Sequence, residues 1–133
     1  MNNKKLSIIL PVFNEKESLL IMVRLLNSSL KTDTEIIIVH DSLNDNSVES
    51  ANILINEYEN VQLVHNKIGP GVKNAIQAGV DKSKNEIILI TAVDEIFPII
   101  SIEKMLEEIL NKNYDFISGT RYSKGGERLG GSL

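Results

Sequence analysis

The feature that most constrains this chain is a rhythm of short, nearly apolar runs separated by stretches with helical spacing. Leu6 to Phe13 (LSIILPVF), Glu35 to Val39 (EIIIV), Val61 to Val64 (VQLV) and Glu86 to Thr91 (EIILIT) are strand-length and bounded by polar or turn-forming residues. Runs this apolar read as strands buried on both faces. The least polar is Ile87 to Ile90, which is expected to lie deep in a sheet. Tyr114 to Ser118 (YDFIS) predicts a fifth strand.

The intervening stretches change period. Glu15 to Leu30 carries Leu19, Leu20, Met22, Val23 and Leu26 at the spacing of a one-sided helix, with Asn14 as its expected N-cap. A second helix, capped by Ser47, would turn Ala51, Ile53, Leu54 and Tyr58 inward. A third follows Gly69-Pro70-Gly71, and its small residues Ala75 and Gly79 would let it approach the sheet closely. A fourth covers Ser101 to Leu110, with Ile102, Met105, Leu106, Ile109 and Leu110 inward. Strands alternating with helices imply a mainly parallel sheet covered on both faces, a three-layer α/β/α sandwich of Rossmann-like type.

The 133 residues fit one domain, 1–133, with a single core. A net charge of −4 gives no basic field for nucleic acid or anionic lipid. The chain has no cysteine, which removes disulfides and thiolate metal sites and fits a reducing, cytoplasmic setting. The apolar patch after Lys4-Lys5 ends in Asn14-Glu15 without a small-residue cleavage site, so no signal peptide is expected. The last fifteen residues hold five glycines and read as loop, as though the chain were cut there.

In open α/β sheets, ligands bind beyond the carboxyl ends of the strands. Polar clusters fall at four such ends: Asn14-Glu15, His40-Asp41 with Asp45, Asp94-Glu95, and Thr120-Arg121. A parallel sheet brings these ends to one edge, which marks a site. Acids just past a strand, as at Asp94-Glu95, suit a metal or a ligand hydroxyl. Lys73 stands at a helix start, where free backbone N–H groups and an ammonium can meet phosphate. His40 and His65 read as structural loop residues. The loop after the first strand has no glycine, which excludes a dinucleotide-binding oxidoreductase and a nucleotidyltransferase. The strand ends also lack the acids of a receiver-type signalling domain.

Set in order, the motifs resemble those of the family 2 glycosyltransferases of the GT-A fold, in particular the branch that includes dolichyl-phosphate mannose synthase. LSIILPVFNEKESL resembles the family's opening strand and P-x-[FY]-N-E motif, and EIIIVHDSLNDNS its second strand and D-D-x-S-x-D loop. NKIGPGVKNAIQAGV is similar to its N-x-G-x-G-x-x-N-A-x-x-x-G segment. EIILITAVDE stands where the family has its D-x-D strand, and DFISGTRYSKGG is similar to the G-[ST]-R-Y segment of the polyprenyl-phosphate branch. Two positions depart: His40 replaces the first acid of the second-strand loop, and Ala92 the first acid of D-x-D.

The resemblance implies transfer of a hexose from a nucleoside diphosphate sugar to an acceptor, with a polyprenyl phosphate or a glycan as candidates. It gives Asp41 a hydrogen bond to the nucleotide base, for which a carboxylate suits a ring N–H. Pro11, Phe13 and Glu15 would line the nucleoside pocket. Asp94 would ligate a divalent cation, Mg²⁺ or Mn²⁺, bridging the diphosphate. Arg121 would pair with a donor or acceptor phosphate through its guanidinium fork. The family's usual catalytic base lies beyond the matched segment, and the whole protein would work at the cytoplasmic face of a membrane. Each residue has a plainer alternative: Asp41 as an Asx-turn residue, Glu15 as a helix N-terminal charge, Phe13 as strand-end packing, and Lys73, Asp94 and Arg121 as surface charges. A truncated or degenerate domain that binds nucleotide without transferring sugar is the rival reading.

Overall fold

The computed structural model of the chain describes residues 5–95 and 97–117. Its elements run β1 (Lys5–Pro11), α1 (Lys16–Ser29), β2 (Asp33–His40), α2 (Ser47–Glu57), β3 (Val61–His65), α3 (Val72–Lys82), β4 (Ile87–Ile90), a 3-10 turn (Phe97–Ser101) and α4 (Ile102–Lys112). Backbone contacts divide the chain into two compact units, Met1–Ile100 and Ser101–Leu133, and the four strands all lie in the first.

The strands form one sheet in the order β3-β2-β1-β4, with every pair parallel. β1 pairs with β2 from Lys5↔Asp33 to Pro11↔Val39, and with β4 from Leu6↔Ile87 to Ile9↔Ile90. Pro11 falls after the last β4 partner, so its missing N–H breaks no bond on that side. Side chains alternate between faces along a strand. Ile9, Ile37, Val39 and Val64 share a buried cluster with Ala75 and Ala78 of α3. Ile8, Leu10, Ile36 and Ile38 are fully buried on the opposite face, where α1 and α2 pack together and α2 reaches β2 and β3. Helices therefore cover both faces, as the strand–helix alternation predicts.

Gly79 shows how closely α3 approaches. A Cβ built there would stand 2.7 Å from Ile9 Cγ2 and 3.2 Å from a Val39 methyl. Only a residue without a side chain lets the helix backbone lie this near the sheet.

Four sequence expectations are corrected. β4 is not buried on both faces: its residues are partly exposed and Ile90 is 48% exposed. It is the edge strand of the described sheet, and an apolar run alone does not distinguish edge from centre. Tyr114 to Ile117 form no strand, and Ser118 lies outside the described residues. The helix caps also shift: Glu15, not Asn14, is the N-cap of α1, and Asn46, not Ser47, that of α2. Asn14 instead takes a left-handed backbone (φ 49°) and spends its side chain on the neighbouring loop, accepting from Asn46 N–H at 3.1 Å. The inward sets are also narrower than expected, since Ile53 and Leu110 are exposed and Leu20 is only partly buried.

Candidate nucleotide-sugar site

Because the strands are parallel, the loops after β1, β2, β3 and β4 leave the same edge of the sheet. The loops after β1 and β2 are laced by Asp45, which is buried. One of its carboxylate oxygens accepts from Asn14 N–H at 2.9 Å and Ser47 N–H at 2.8 Å. The Ser47 hydroxyl accepts from Glu15 N–H at 2.8 Å, so the two loops hold each other at three points when the Asn14–Asn46 bond is included. Asp45 is thus a brace and not a ligand group. Its interactions fix the turn that carries Phe13 and Glu15.

Phe13 is 77% exposed, open to whatever occupies the edge. A large aromatic ring in water is not strand-end packing. Pro11 is half-buried at the end of β1. The Glu15 carboxylate accepts a long bond, 3.4 Å, from Phe13 N–H. Burial raises its pKa above the ordinary 4.5, partly offset by that bond, and the negative charges of Asp94 and Asp45 raise it further. Glu15 therefore feels the acids of the β2 and β4 loops, which leave the same sheet edge on the two strands paired with β1.

Asp41 follows β2 and is exposed, yet its carboxylate is held on both oxygens. Oδ1 accepts from the Asn66 side-chain amide at 2.7 Å and Oδ2 from Gly71 N–H at 3.1 Å. Gly71 has φ 108°, a conformation that glycine reaches without steric cost, and this turns its N–H towards Asp41. Asp41, Asn66, Lys67, Gly69 and Pro70 line an open cleft of about 220 Å³. The Asp41 carbonyl accepts from His65 Nε2–H at 3.1 Å, and the Ser42 carbonyl from His40 Nδ1–H at 2.9 Å. Carbonyls only accept, which fixes those ring nitrogens as donors. The two imidazoles stack with centroids 4.9 Å apart, bracing the floor of the loop as structural histidines do.

Asp94 and Glu95 are exposed in a turn closed by Glu95 N–H to the Ala92 carbonyl at 3.2 Å. Lys73 is exposed in the first turn of α3. Arg121 lies outside the described residues, as does the Thr120 beside it. The residue that sequence reasoning left without a role is Asn66; its signal was an asparagine directly after a strand and before Gly-Pro-Gly.

Among the described residues, no group of three or more His, Asp or Glu side chains is arranged to hold a metal ion. Mg²⁺ and its like are commonly bound through only one or two carboxylates, with water and substrate phosphate completing the shell. Exposed Asp94, whose field reaches Glu15, fits that pattern of partial protein ligation.

A parallel α/β sheet with helices on both faces and a polar edge defines an open α/β class of protein, in which ligands bind beyond the carboxyl ends of the strands. The model of the family described as "Glycosyl transferase family 2" matches residues 7–132, and the chain belongs to that family. It is 29% identical over 124 residues to a dolichol-phosphate mannosyltransferase of Pyrococcus furiosus, covering 92% of this chain and 35% of the relative. It is 32% identical over 123 residues to an undecaprenyl-phosphate 4-deoxy-4-formamido-L-arabinose transferase of Yersinia enterocolitica, covering 89% and 37%. The chain thus spans little more than a third of the length of these curated relatives. Its fold matches glucosyl-3-phosphoglycerate synthase from Mycobacterium tuberculosis, solved with Mn²⁺, UDP and glucosyl-3-phosphoglycerate. That match has a TM-score of 0.63 at 17% identity, over 80% of this chain and 39% of that one. The GT-A architecture expected from the motifs is the architecture observed.

Proposed function

We propose that this chain is the nucleotide-sugar-binding part of a glycosyltransferase that moves a hexose from a nucleoside diphosphate sugar to an acceptor. The observation that carries the reading is the meeting of strand ends. Asp41 faces an open cleft at the end of β2, while Glu15 and Asp94 follow the paired parallel strands β1 and β4 and so leave the same edge.

Asp41 binds the base edge, since each of its oxygens has accepting capacity beyond the one internal bond it takes. The cleft is smaller than the roughly 300 Å³ of a typical ligand pocket and takes one end of a ligand. Phe13, Pro11 and Glu15 flank the nucleoside. Lys73 meets the diphosphate, and Arg121 is assigned a phosphate by its G-T-R-Y setting. Asp94 holds the divalent cation, which when bound neutralises charge on the departing nucleoside diphosphate. In the transfer, the bond from the anomeric carbon to phosphate breaks and a bond to an acceptor oxygen forms. That oxygen's proton, where it has one, passes to a base not assigned among these residues.

The two relatives are named for dolichol-phosphate and undecaprenyl-phosphate, which supports a polyprenyl phosphate acceptor. With such an acceptor, the whole protein would work at a membrane surface, at its cytoplasmic face. No helix among the described residues is long and apolar enough to cross one. Ala92, in place of the first D-x-D acid, favours a second reading, a domain that binds nucleotide without transfer. Titration calorimetry with UDP and GDP, with and without Mn²⁺, tests what both readings share. We expect binding of at least one nucleotide, tightened by Mn²⁺; binding of neither would overturn both readings. Release of nucleotide from UDP-glucose or GDP-mannose in the presence of a polyprenyl phosphate separates the two.

A further inference from the structure

Asn66 is buried, 6% exposed, and its side chain is fully engaged. The amide nitrogen donates to Asp41 Oδ1 at 2.7 Å and to the Gly69 carbonyl at 2.6 Å, and the amide oxygen accepts from Ile68 N–H at 3.0 Å. Its own backbone N–H donates to the His40 carbonyl at 2.8 Å. The bond to Asp41 joins residues 25 apart in sequence. One amide therefore ties the end of β2 to the loop that leads into α3.

The orientation of that amide is set by its partners. Turned over, its oxygen would face the Asp41 carboxylate and the Gly69 carbonyl, and its NH₂ would face Ile68 N–H, three repulsive contacts. The charge-assisted bond to Asp41 also fixes the carboxylate, because the Gly71 N–H grips the other oxygen. Asp41 is thus exposed in front and clamped behind.

We propose that Asn66 is a positioning residue for nucleobase recognition: its buried amide fixes the plane in which Asp41 presents its free lone pairs to the base. The proposal rests on the assignment of Asp41 to the base. A carboxylate held in one plane meets the in-plane N–H groups of a base edge without first losing rotamer freedom. Asn66 also draws in the Gly69 carbonyl and so shapes the cleft wall it shares with Asp41. The effect is therefore specific to ligands that carry a base.

The test is calorimetric titration of the whole chain with UDP and GDP, and with inorganic pyrophosphate as a baseless probe, all with Mn²⁺. Asn66→Asp keeps the size and the acceptor for Ile68 N–H but replaces the donor to Asp41 with a second carboxylate that repels it; Asn66→Ala removes both donor and acceptor. Asn66→Ala should weaken the preferred nucleotide about tenfold, the scale of one charge-assisted hydrogen bond, and Asn66→Asp at least as much. Pyrophosphate affinity should stay within about twofold. In an Asp41→Ala background, Asn66→Ala should add less than about twofold, because the residue it acts through is gone. Equal losses for nucleotide and pyrophosphate would reduce Asn66 to a fold-holding role and overturn the proposal. So would a full tenfold loss persisting without Asp41. If Asp41→Ala alone leaves nucleotide affinity intact, the base assignment itself fails, and the proposal with it. Should Asn66→Ala not fold, Asn66→Asp carries the same comparisons.

Discussion

Two corners of the sheet edge are built differently. Around Asp41, the carboxylate, the Asn66 amide, Gly71 N–H and two stacked histidines form a closed set of hydrogen bonds. Around Asp94, an exposed turn is closed by Glu95 N–H to the Ala92 carbonyl, and the Asp94 charge raises the pKa of Glu15. The first corner has its geometry before any ligand arrives. The second leaves an acid in water, beside other acids, and a cation with a diphosphate would complete it. A base has a fixed hydrogen-bonding edge that rewards a rigid partner. A hydrated cation keeps several oxygen ligands of its own and asks less of the protein.

This contrast can be broken most severely at its brace. Asp45→Ala would leave the N–H groups of Asn14 and Ser47 without their buried acceptor. The expected loss is about 2–4 kcal/mol of stability, measured by urea unfolding. A loss under about 0.5 kcal/mol would show that the β1 and β2 loops stand without it. Next comes the sheet beneath the edge. Gly79→Val drives new atoms into Ile9 and Val39 and should cost about 1–3 kcal/mol in the same measurement. That loss should appear in stability with the ratio of UDP to pyrophosphate affinity unchanged.

The smallest effect belongs to Glu15 and sharpens the electrostatics of the second corner. Its pKa is raised on folding, chiefly by burial. The folded chain therefore holds that proton more tightly than the unfolded chain does. Glu15 lowers stability as pH rises through the range just above 4.5. Glu15→Gln should flatten this slope in thermal melts across acidic pH. The side chain is only partly buried, so the change should be modest. A steeper slope in the variant would contradict the assigned direction.

Much of this architecture is legible in the sequence, for physical reasons. Ile36, Ile37 and Ile38 are β-branched, consecutive and fully buried, and such a run has few options besides a central strand. Gly79 announces a close approach because it replaces a side chain on the inward face of a helix. What stays hidden depends on partners distant in sequence. The run Ile87 to Ile90 cannot show that no described strand pairs beyond it. Asn14 looks like a helix cap, yet its side chain bonds to Asn46, 32 residues away. Asp41 is visible as a candidate from its motif, and Asn66 as the head of the loop before Gly-Pro-Gly, but their bond is not, because the partners lie 25 residues apart. Asp94 is legible as an acid after a strand and, by resemblance, as the second acid of the D-x-D position; the oxygen ligands that would complete a cation's shell are not in the sequence.

The most direct test is a thermal-shift panel of UDP, GDP, CDP and dTDP, each with and without Mn²⁺, on the native chain, Asp41→Ala and Asp94→Ala. The two corners should fail separately. Asp41→Ala should shrink the nucleotide shift with or without Mn²⁺, while Asp94→Ala should keep the metal-free shift and lose the increment that Mn²⁺ adds. A Mn²⁺ increment that survives Asp94→Ala unchanged would contradict the account.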